Sequence, residues 1–330
     1  MMTEGTKAIV VIPTKNGGRV FQLVLQALSD QEVAWRYDIL VVDSSSTDGT
    51  LEYCRQRGIR VHSIVAEDFG HGRTRNLAIS LTEGEFVVLL TQDALPASRQ
   101  WLSKLVAAVE QRDDVAGAFG RQLPYPEADP YTARDLSAHF DKFLKWPRML
   151  RLDDAERYRS DERYRRVLHF FSNSNACIRR SVWEKFPFPD VDYAEDQHWA
   201  RTVIEAGYAK AYCDEAAVFH SHQYSVVESA RRAFDEAIAL KAGFNFDPCP
   251  TLMTALTESF RRTQYDWTYS IGLGKALEHV YWMLRSPVHN FFQQFGFYLG
   301  GRHDRLPDWL IRRISLDRAT KDGRWRPTRT

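Results

Sequence analysis

Acidic, basic and histidine side chains able to do chemistry in this chain fall in short polar segments, most of them directly after apolar runs. Asp43-Ser44-Ser45-Ser46-Thr47-Asp48-Gly49 follows Ile39 to Val42. A carboxylate at such a place accepts hydrogen bonds from a nucleobase imide or ribose hydroxyls, so Asp43 is read as the base-recognising residue, with Ser45 beside it. Asp48 is expected to cap the next helix. Thr91-Gln92-Asp93 follows Phe86 to Leu90, and its lone acid is a natural ligand for a hard cation that bridges phosphate oxygens. His220 and His222 end a later strand-like run on a shared face, where one or both imidazoles can complete the coordination.

Glu195-Asp196 opens a helix-like stretch. The helix dipole alone accounts for an acid pair there, but either residue can serve as general base toward an acceptor hydroxyl. Gly70-His71-Gly72-Arg73-Thr74-Arg75 sets glycines and arginines at a helix entrance, a cradle suited to a diphosphate. The two arginines diverge on a helix, and Arg75 is the one expected to face the site. Pro13-Thr14-Lys15-Asn16-Gly17-Gly18 fits neither Gly-x-Gly-x-x-Gly nor Gly-Lys-Ser/Thr, which disfavours dehydrogenase and NTPase readings.

The elements that must position these groups alternate. Buried-strand runs at Ala8 to Pro13, Ile39 to Val42, Gly58 to Val65, Glu85 to Leu90 and Val115 to Phe119 are separated by helical patterns at Val20 to Leu28, from Thr47, at Arg73 to Leu81 and at Trp101 to Glu110. Such alternation predicts βαβ units and an α/β fold with a mostly parallel central sheet, whose ligands bind beyond the strands' C-terminal ends. Leu123 to Val167 is read as a strandless excursion over one sheet edge. Strand-like runs return at Phe170 to Ile178 and Tyr212 to His220, around a helix at Gln197 to Ala206. The expected division is a catalytic domain over residues 1–225 and a helical, aromatic region over 226–330.

In that second region Leu273, Ala276, Leu277, Val280, Tyr281 and Leu284 form one apolar stripe, and Val288, Phe291, Phe292, Phe295, Tyr298 and Leu299 another. Ser286-Pro287 is read as the start of a new helix between them. From Gly301 to Thr330 nine Lys/Arg face four Asp/Glu, which suits an acidic surface. The plainer reading has both stripes packed on the catalytic domain and a solvated, frayed terminus. The four cysteines stand singly, which excludes a Cys-x-x-Cys zinc or redox motif and fits free thiols in a reducing cytoplasm. Neither a signal peptide nor a spanning run of ~20 apolar residues is recognised, so the chain is expected in the cytoplasm, peripherally on the inner membrane face, with no nucleic-acid partner.

In order along the chain, Ile12-Pro-Thr-Lys-Asn16, Val41-Val-Asp-Ser-Ser-Ser-Thr-Asp-Gly-Thr50, Gly72-x-x-Arg-Asn-x-Ala78, Leu90-Thr-Gln-Asp-Ala94, Glu195-Asp196 and a downstream His resemble glycosyltransferase family two. The resemblance spans about Ala8 to His222 and implies the GT-A fold, with transfer of one sugar from a nucleotide donor on Mg2+ or Mn2+. It implies that Pro13, Thr14 and Asn16 line the nucleotide pocket with Asp43 and Ser45, and that Asp93 binds metal with His220 or His222. It makes Asp196 the base, Glu195 the alternative. The family's Asp-x-Asp is here Thr91-Gln92-Asp93, so Thr91 would offer a hydroxyl to ribose and Gln92 another polar contact.

Phe171-Ser-Asn-Ser-Asn-Ala-Cys-Ile-Arg179, Val218-Phe-His-Ser-His-x-Tyr224 and Phe295-Gly-Phe-Tyr-Leu-Gly-Gly-Arg302 resemble the bacterial rhamnosyltransferases of this family. That likeness implies dTDP-L-rhamnose as donor, a saccharide or polyprenyl-linked acceptor in surface polysaccharide synthesis, and Asn173 and Asn175 near donor or acceptor sugar. Two other readings compete: a sugar-phosphate nucleotidyltransferase, which would carry a glycine-rich basic loop after its first strand, and a non-catalytic carbohydrate-binding protein on the same fold.

Overall fold

A computed structural model of the chain describes residues 5–191 and 193–321. The chain divides into two compact units, one running through Glu127 and over Ala133–Ser221, the other taking Ala128–Thr132 and the chain from His222 onward. The division therefore falls a few residues before the expected 225, and a short earlier segment belongs with the second unit.

The first unit is built on one mixed sheet. Its strands are β1 (Ala8–Thr14), β2 (Tyr37–Asp43), β3 (Arg60–Ser63), β4 (Phe86–Leu90), β5 (Leu95–Pro96), β6 (Val115–Leu123), β7 (Met149–Leu150), β8 (Asn175–Arg179) and β9 (Ala209–Phe219), in the order β3-β2-β1-β4-β8-β6-β9-β5 with β7 on β9. The run β3-β2-β1-β4 is parallel throughout, and so is β6 with β9. Most paired residues thus lie in parallel ladders. β8 enters antiparallel between β4 and β6, a direction that composition does not encode.

Alternation along β1 serves two cores. Ala8, Val10 and Ile12 pack with Phe21, Val24 and Leu25 of helix Gly18–Ser29 and with Leu102 and Leu105 of helix Trp101–Glu110. Ile9 and Val11 face the opposite side, with Ala78 and Ile79 of helix His71–Ser80 and with Trp199 and Val203 of helix Glu195–Glu205. A strand buried on both faces has no polar side to alternate, hence its unbroken β-branched run. The middle excursion is not strandless: β7 pairs antiparallel with β9 at Ala211 and Lys210. A two-residue strand leaves no period to read.

The second unit is helical. Ser225 starts helix Val226–Phe244 with a capping box closed by Glu228, and Thr251 caps helix Leu252–Gly272. The expected helix boundary at Ser286-Pro287 is overturned, because a single helix, Val280–Gly300, runs through Pro287. Proline leaves the Met283 carbonyl without its helical donor, and the Trp267 indole supplies one at 2.9 Å. Residues 322–330 of the expected basic tail, and Asp192 ahead of the acid pair, lie outside the described residues.

Candidate active site

The C-terminal ends of β1, β2 and β4 form one rim of the first unit. Thr14 and Asp43 are register partners there. Asp43 is fully buried; its Oδ2 accepts from the Ser46 amide at 3.0 Å, while Oδ1 has no partner among the described residues. Burial of an unmatched carboxylate oxygen is costly, and a base imide or ribose hydroxyl would supply the missing donor. Asn16 ties the two loops together: its amide donates to Ser46 Oγ at 2.7 Å and its Oδ1 accepts from the Thr47 amide at 2.8 Å. Asp48 stands one residue before the N-cap, Gly49, and its carboxylate accepts from the amide of Thr50, the first residue of that helix, and from the amide of Gly18, the first residue of helix Gly18–Ser29.

Gln92 is occupied by the scaffold. Its Oε1 accepts from Thr14 Oγ1 at 2.6 Å and the Lys15 amide at 2.9 Å, bracing the β4 loop against the β1 loop beside Pro13. The buried Thr91 hydroxyl has no partner among the described residues. Asn16, Ser45 and Ala194 are three of the four non-glycine residues with positive φ among the described residues. Such backbone is maintained only where surrounding structure enforces it, and all three border this rim's loops.

Ala194 is the left-handed N-cap of the helix that opens with the acid pair. Glu195 is buried against Arg75 Nη1 at 2.9 Å and also accepts from Asn173 Nδ2 at 3.0 Å. Asp196 accepts from two backbone amides, Asn173 at 3.1 Å and Gln197 at 2.8 Å. Burial and then the adjacent Glu195 charge push the Asp196 carboxyl up to about 7 despite those amides. Burial acts in the same direction on Glu195, but Arg75, His71 and Asn173 outweigh it and hold that carboxyl below its ordinary range. One acid stays ionised; its neighbour is poised to exchange a proton near neutrality.

The Gly72-x-x-Arg-Asn-x-Ala segment explains itself here. A Cβ on Gly72 would meet the Pro189 carbonyl oxygen at 2.1 Å, so only glycine permits this approach. Asn76 donates to the Phe188 carbonyl at 2.8 Å and accepts from the Trp183 indole at 2.8 Å and the Phe188 amide at 3.1 Å. Ala78 is fully buried against the sheet. Helix His71–Ser80 therefore anchors the chain that leads to the acid pair. Gly72 and Asn76 were absent from the expected site; their motif was visible, but its mechanical role was not.

Asp93 and the largely buried His220 form the candidate metal position. Nδ1 of His220 stands 3.4 Å from Asp93 Oδ1. Burial would depress the imidazole's proton affinity, but the Asp93 charge outweighs it and the net direction is upward. Tyr125, also missed in the sequence, donates its hydroxyl to the Asp93 carbonyl at 2.9 Å and holds this loop. A carboxylate and an imidazole suit Mn2+ or another divalent cation of intermediate hardness. His222 is the first residue of the second unit; it is exposed and stacks on Tyr224 with ring centroids 5.3 Å apart.

These groups share the rim. Leu90 pairs with Asn175 across β4 and β8, and the Thr91 amide donates to the Ser174 carbonyl, one residue from Asn173 and its bond to Asp196. Two expectations need correction. Asn175 does not face a sugar: it is fully buried, with its amide committed to the carbonyls of Arg121 and Ala216 and to the Trp101 indole. Arg75 is not presented to a diphosphate; it is buried, held by Glu195 and the His71 carbonyl.

Comparison with known proteins agrees with this architecture. The glycosyl transferase family 2 model matches residues 9–186. The O-antigen chain rhamnosyltransferase RfbN of Salmonella typhimurium is 31% identical over 319 residues, covering 94% of each chain. WbaN of Salmonella anatum, also an O-antigen chain rhamnosyltransferase, is 29% identical over 317 residues, 93% of each chain. Among solved structures, the mannosyltransferase PcManGT from Pyrobaculum calidifontis, in complex with GDP-Man and Mn2+, has a TM-score of 0.59 at 17% identity, over 92% of this chain and 89% of that one. S. aureus TarS 1-349 in complex with UDP-GlcNAc gives 0.52 at 14% identity, over 91% and 92%. Those two likenesses are of fold, and the fold is GT-A-like. With the family match spanning β1 to β8 and the RfbN likeness nearly the whole length, this chain belongs to glycosyl transferase family 2.

Proposed function

We propose that this glycosyltransferase transfers L-rhamnose, with inversion, from dTDP-L-rhamnose to a hydroxyl of a saccharide or polyprenyl-linked acceptor in surface polysaccharide synthesis. The names of RfbN and WbaN support the sugar and the pathway class. One observation carries the reaction type: Asp43 Oδ1, Thr91 Oγ1 and Asn173 Oδ1 are buried without partners among the described residues, on the same rim as Asp196. Three unmatched polar atoms beside a proton-exchanging acid fit a polar ligand with base, ribose and sugar hydroxyls.

In this reading Asp43 accepts from the thymine imide or a ribose hydroxyl, and Thr91 contacts the ribose. Asn173 orients a sugar hydroxyl while its backbone holds Asp196. Asp196 removes the acceptor hydroxyl's proton as that oxygen bonds to the anomeric carbon. The bond from that carbon to the diphosphate breaks, and its electron pair leaves with the nucleoside diphosphate. Asp93 and His220, with His222 as the adjoining donor, would hold a divalent cation that offsets the charge of the diphosphate. Arg75 and Glu195 keep Asp196 in place and set its proton affinity.

A screen of dTDP-, UDP- and GDP-sugars against the purified protein, with Mg2+, Mn2+ or EDTA, tests the proposal through nucleoside diphosphate release. Turnover of dTDP-L-rhamnose above the other donors is expected. Preference for another nucleotide sugar would overturn the donor, and diphosphate release from a nucleoside triphosphate plus sugar phosphate would overturn the reaction.

A further inference from the structure

The helical unit is built inside out. Helices Leu252–Gly272 and Val280–Gly300 run antiparallel, and their seam is small and polar. Asp266 accepts from Ser286 Oγ and, at 2.9 Å, from Asn290 Nδ2; Ser259 Oγ donates to the Asn290 carbonyl at 3.3 Å. Against helix Val226–Phe244, the second of these helices presents Gly296 and Gly300, where a Cβ would meet the carbonyl oxygens of Ala230 and Phe234 at 2.1 and 2.2 Å. The large apolar side chains point the other way. Met253 is 67% exposed, Phe260 65%, Leu277 89% and Leu284 74%.

These residues form one face. At ~100° per residue, the stripes Met253-Leu256-Phe260-Trp267-Ile271 and Val280-Leu284-Val288-Phe291 lie to the same rotational side of the seam on their helices. On antiparallel helices that places both on the same side of the hairpin. Along Val280–Gly300 the one Lys, Arg, Asp or Glu is Arg285, and its guanidinium donates to the Tyr224 carbonyl at 2.6 Å.

We infer that this face of the hairpin seats on the surface of an anionic lipid bilayer. Helices held together by small residues and buried hydrogen bonds, with their apolar side chains outward, are packed as for an apolar solvent. Trp267, Tyr281 and Trp309, all exposed, are the amphipathic types that favour the headgroup boundary. Exposed Arg305, Arg312 and Arg313 follow the hairpin and complement anionic headgroups. No helix among the described residues is long and apolar enough to cross a membrane, so the face lies along the interface. A second copy of the chain fits less well, since the stripe of Val280–Gly300 carries no charges to set register or partner. The inference bears on the proposed reading only in that a lipid-borne acceptor would be met at this surface.

Vesicle co-sedimentation of the full chain tests this without using transfer. Vesicles of phosphatidylcholine alone are compared with vesicles holding about 30% phosphatidylglycerol at ~0.15 M salt. Binding to the anionic vesicles is expected, reduced about tenfold or more by Leu277→Asp with Leu284→Asp, and left unchanged by Leu23→Asp on the first unit. Leu277→Ser alone, at the most exposed of these positions, should weaken binding while leaving the circular dichroism spectrum and nucleotide affinity intact. Absence of vesicle binding, equal loss in all variants, or a dimer in solution that the double variant dissociates would overturn the inference. Loss of transfer with vesicle binding retained would count against the proposed function instead.

Discussion

Arg75 and Glu195 meet at 2.9 Å with both side chains buried, although 120 residues separate them in sequence. The pair divides labour between two adjacent acids. Glu195 is fixed as the ionised member, and its charge, added to burial, raises its neighbour Asp196. The arginine expected at the diphosphate therefore acts on Asp196 through Glu195.

Glu195→Gln should shift the pH dependence of transfer. Removing that negative charge, with Arg75 still present, lets Asp196 ionise at lower pH, so the acidic limb of kcat/KM moves down. Breaking a buried pair on one side also costs about 3–5 kcal/mol of stability, part of which Arg75→Met in the same chain should restore. Rate profiles and urea midpoints read the two effects separately. An unmoved acidic limb would show that Asp196 is not the titrating base.

Asp196→Asn should cut kcat by roughly 10²–10⁴-fold while nucleotide diphosphate still binds, because Asp43 and Thr91 are untouched. Its effect on stability has the opposite sign. The native carboxyl titrates above its unfolded value, so its contribution is fully present below the unfolded pKa and is lost as pH rises through about 7. The asparagine variant escapes that loss and should gain more in Tm, relative to the parent, at about pH 8 than at about pH 5. Equal gains at both would remove the elevated carboxyl.

Much of this site was legible because the strands that carry it are buried on both faces. β1, β2 and β4 announce themselves as unbroken apolar runs, and the loops after them must then converge on one rim. That argument finds Asp43, Thr91 and Asp93. It fails for Asn175, which shares a polar segment with Asn173 but points into the core toward Trp101. A two-residue shift keeps a side chain on the same strand face only where a strand exists, and Asn173 precedes β8. Pro287 misled for another reason: the Trp267 indole that repairs the helix lies 20 residues upstream.

Asp93→Ala and His220→Ala should both weaken Mn2+ binding in the presence of nucleoside diphosphate. Losing only a hydrogen-bonding partner of a metal ligand typically costs about 10–100-fold in metal affinity, so loss of a ligand itself should cost at least that. Manganese electron paramagnetic resonance measures this without turnover. His222→Ala, read the same way, separates a third ligand from a bystander stacked on Tyr224. Undiminished Mn2+ affinity in the Asp93 variant would place the cation elsewhere.

Gly72→Ala tests whether helix His71–Ser80 positions the base. The added methyl would lie 2.1 Å from the Pro189 carbonyl oxygen, far inside contact distance, so helix and segment must separate. Overpacking of this kind costs typically ~1–3 kcal/mol. Separation also stretches the Asn76 bonds to Phe188 and, a few residues on, displaces the acid pair from Asn173 and Arg75. The expected signature is a fall in kcat with donor affinity preserved, since Asp43 and Thr91 sit on other strands. Gly58→Ala is the control: that glycine has positive φ but open space around its Cβ, so it should lose stability and keep its kcat. If the two variants lose stability equally and neither loses turnover, the helix is a support for the fold alone.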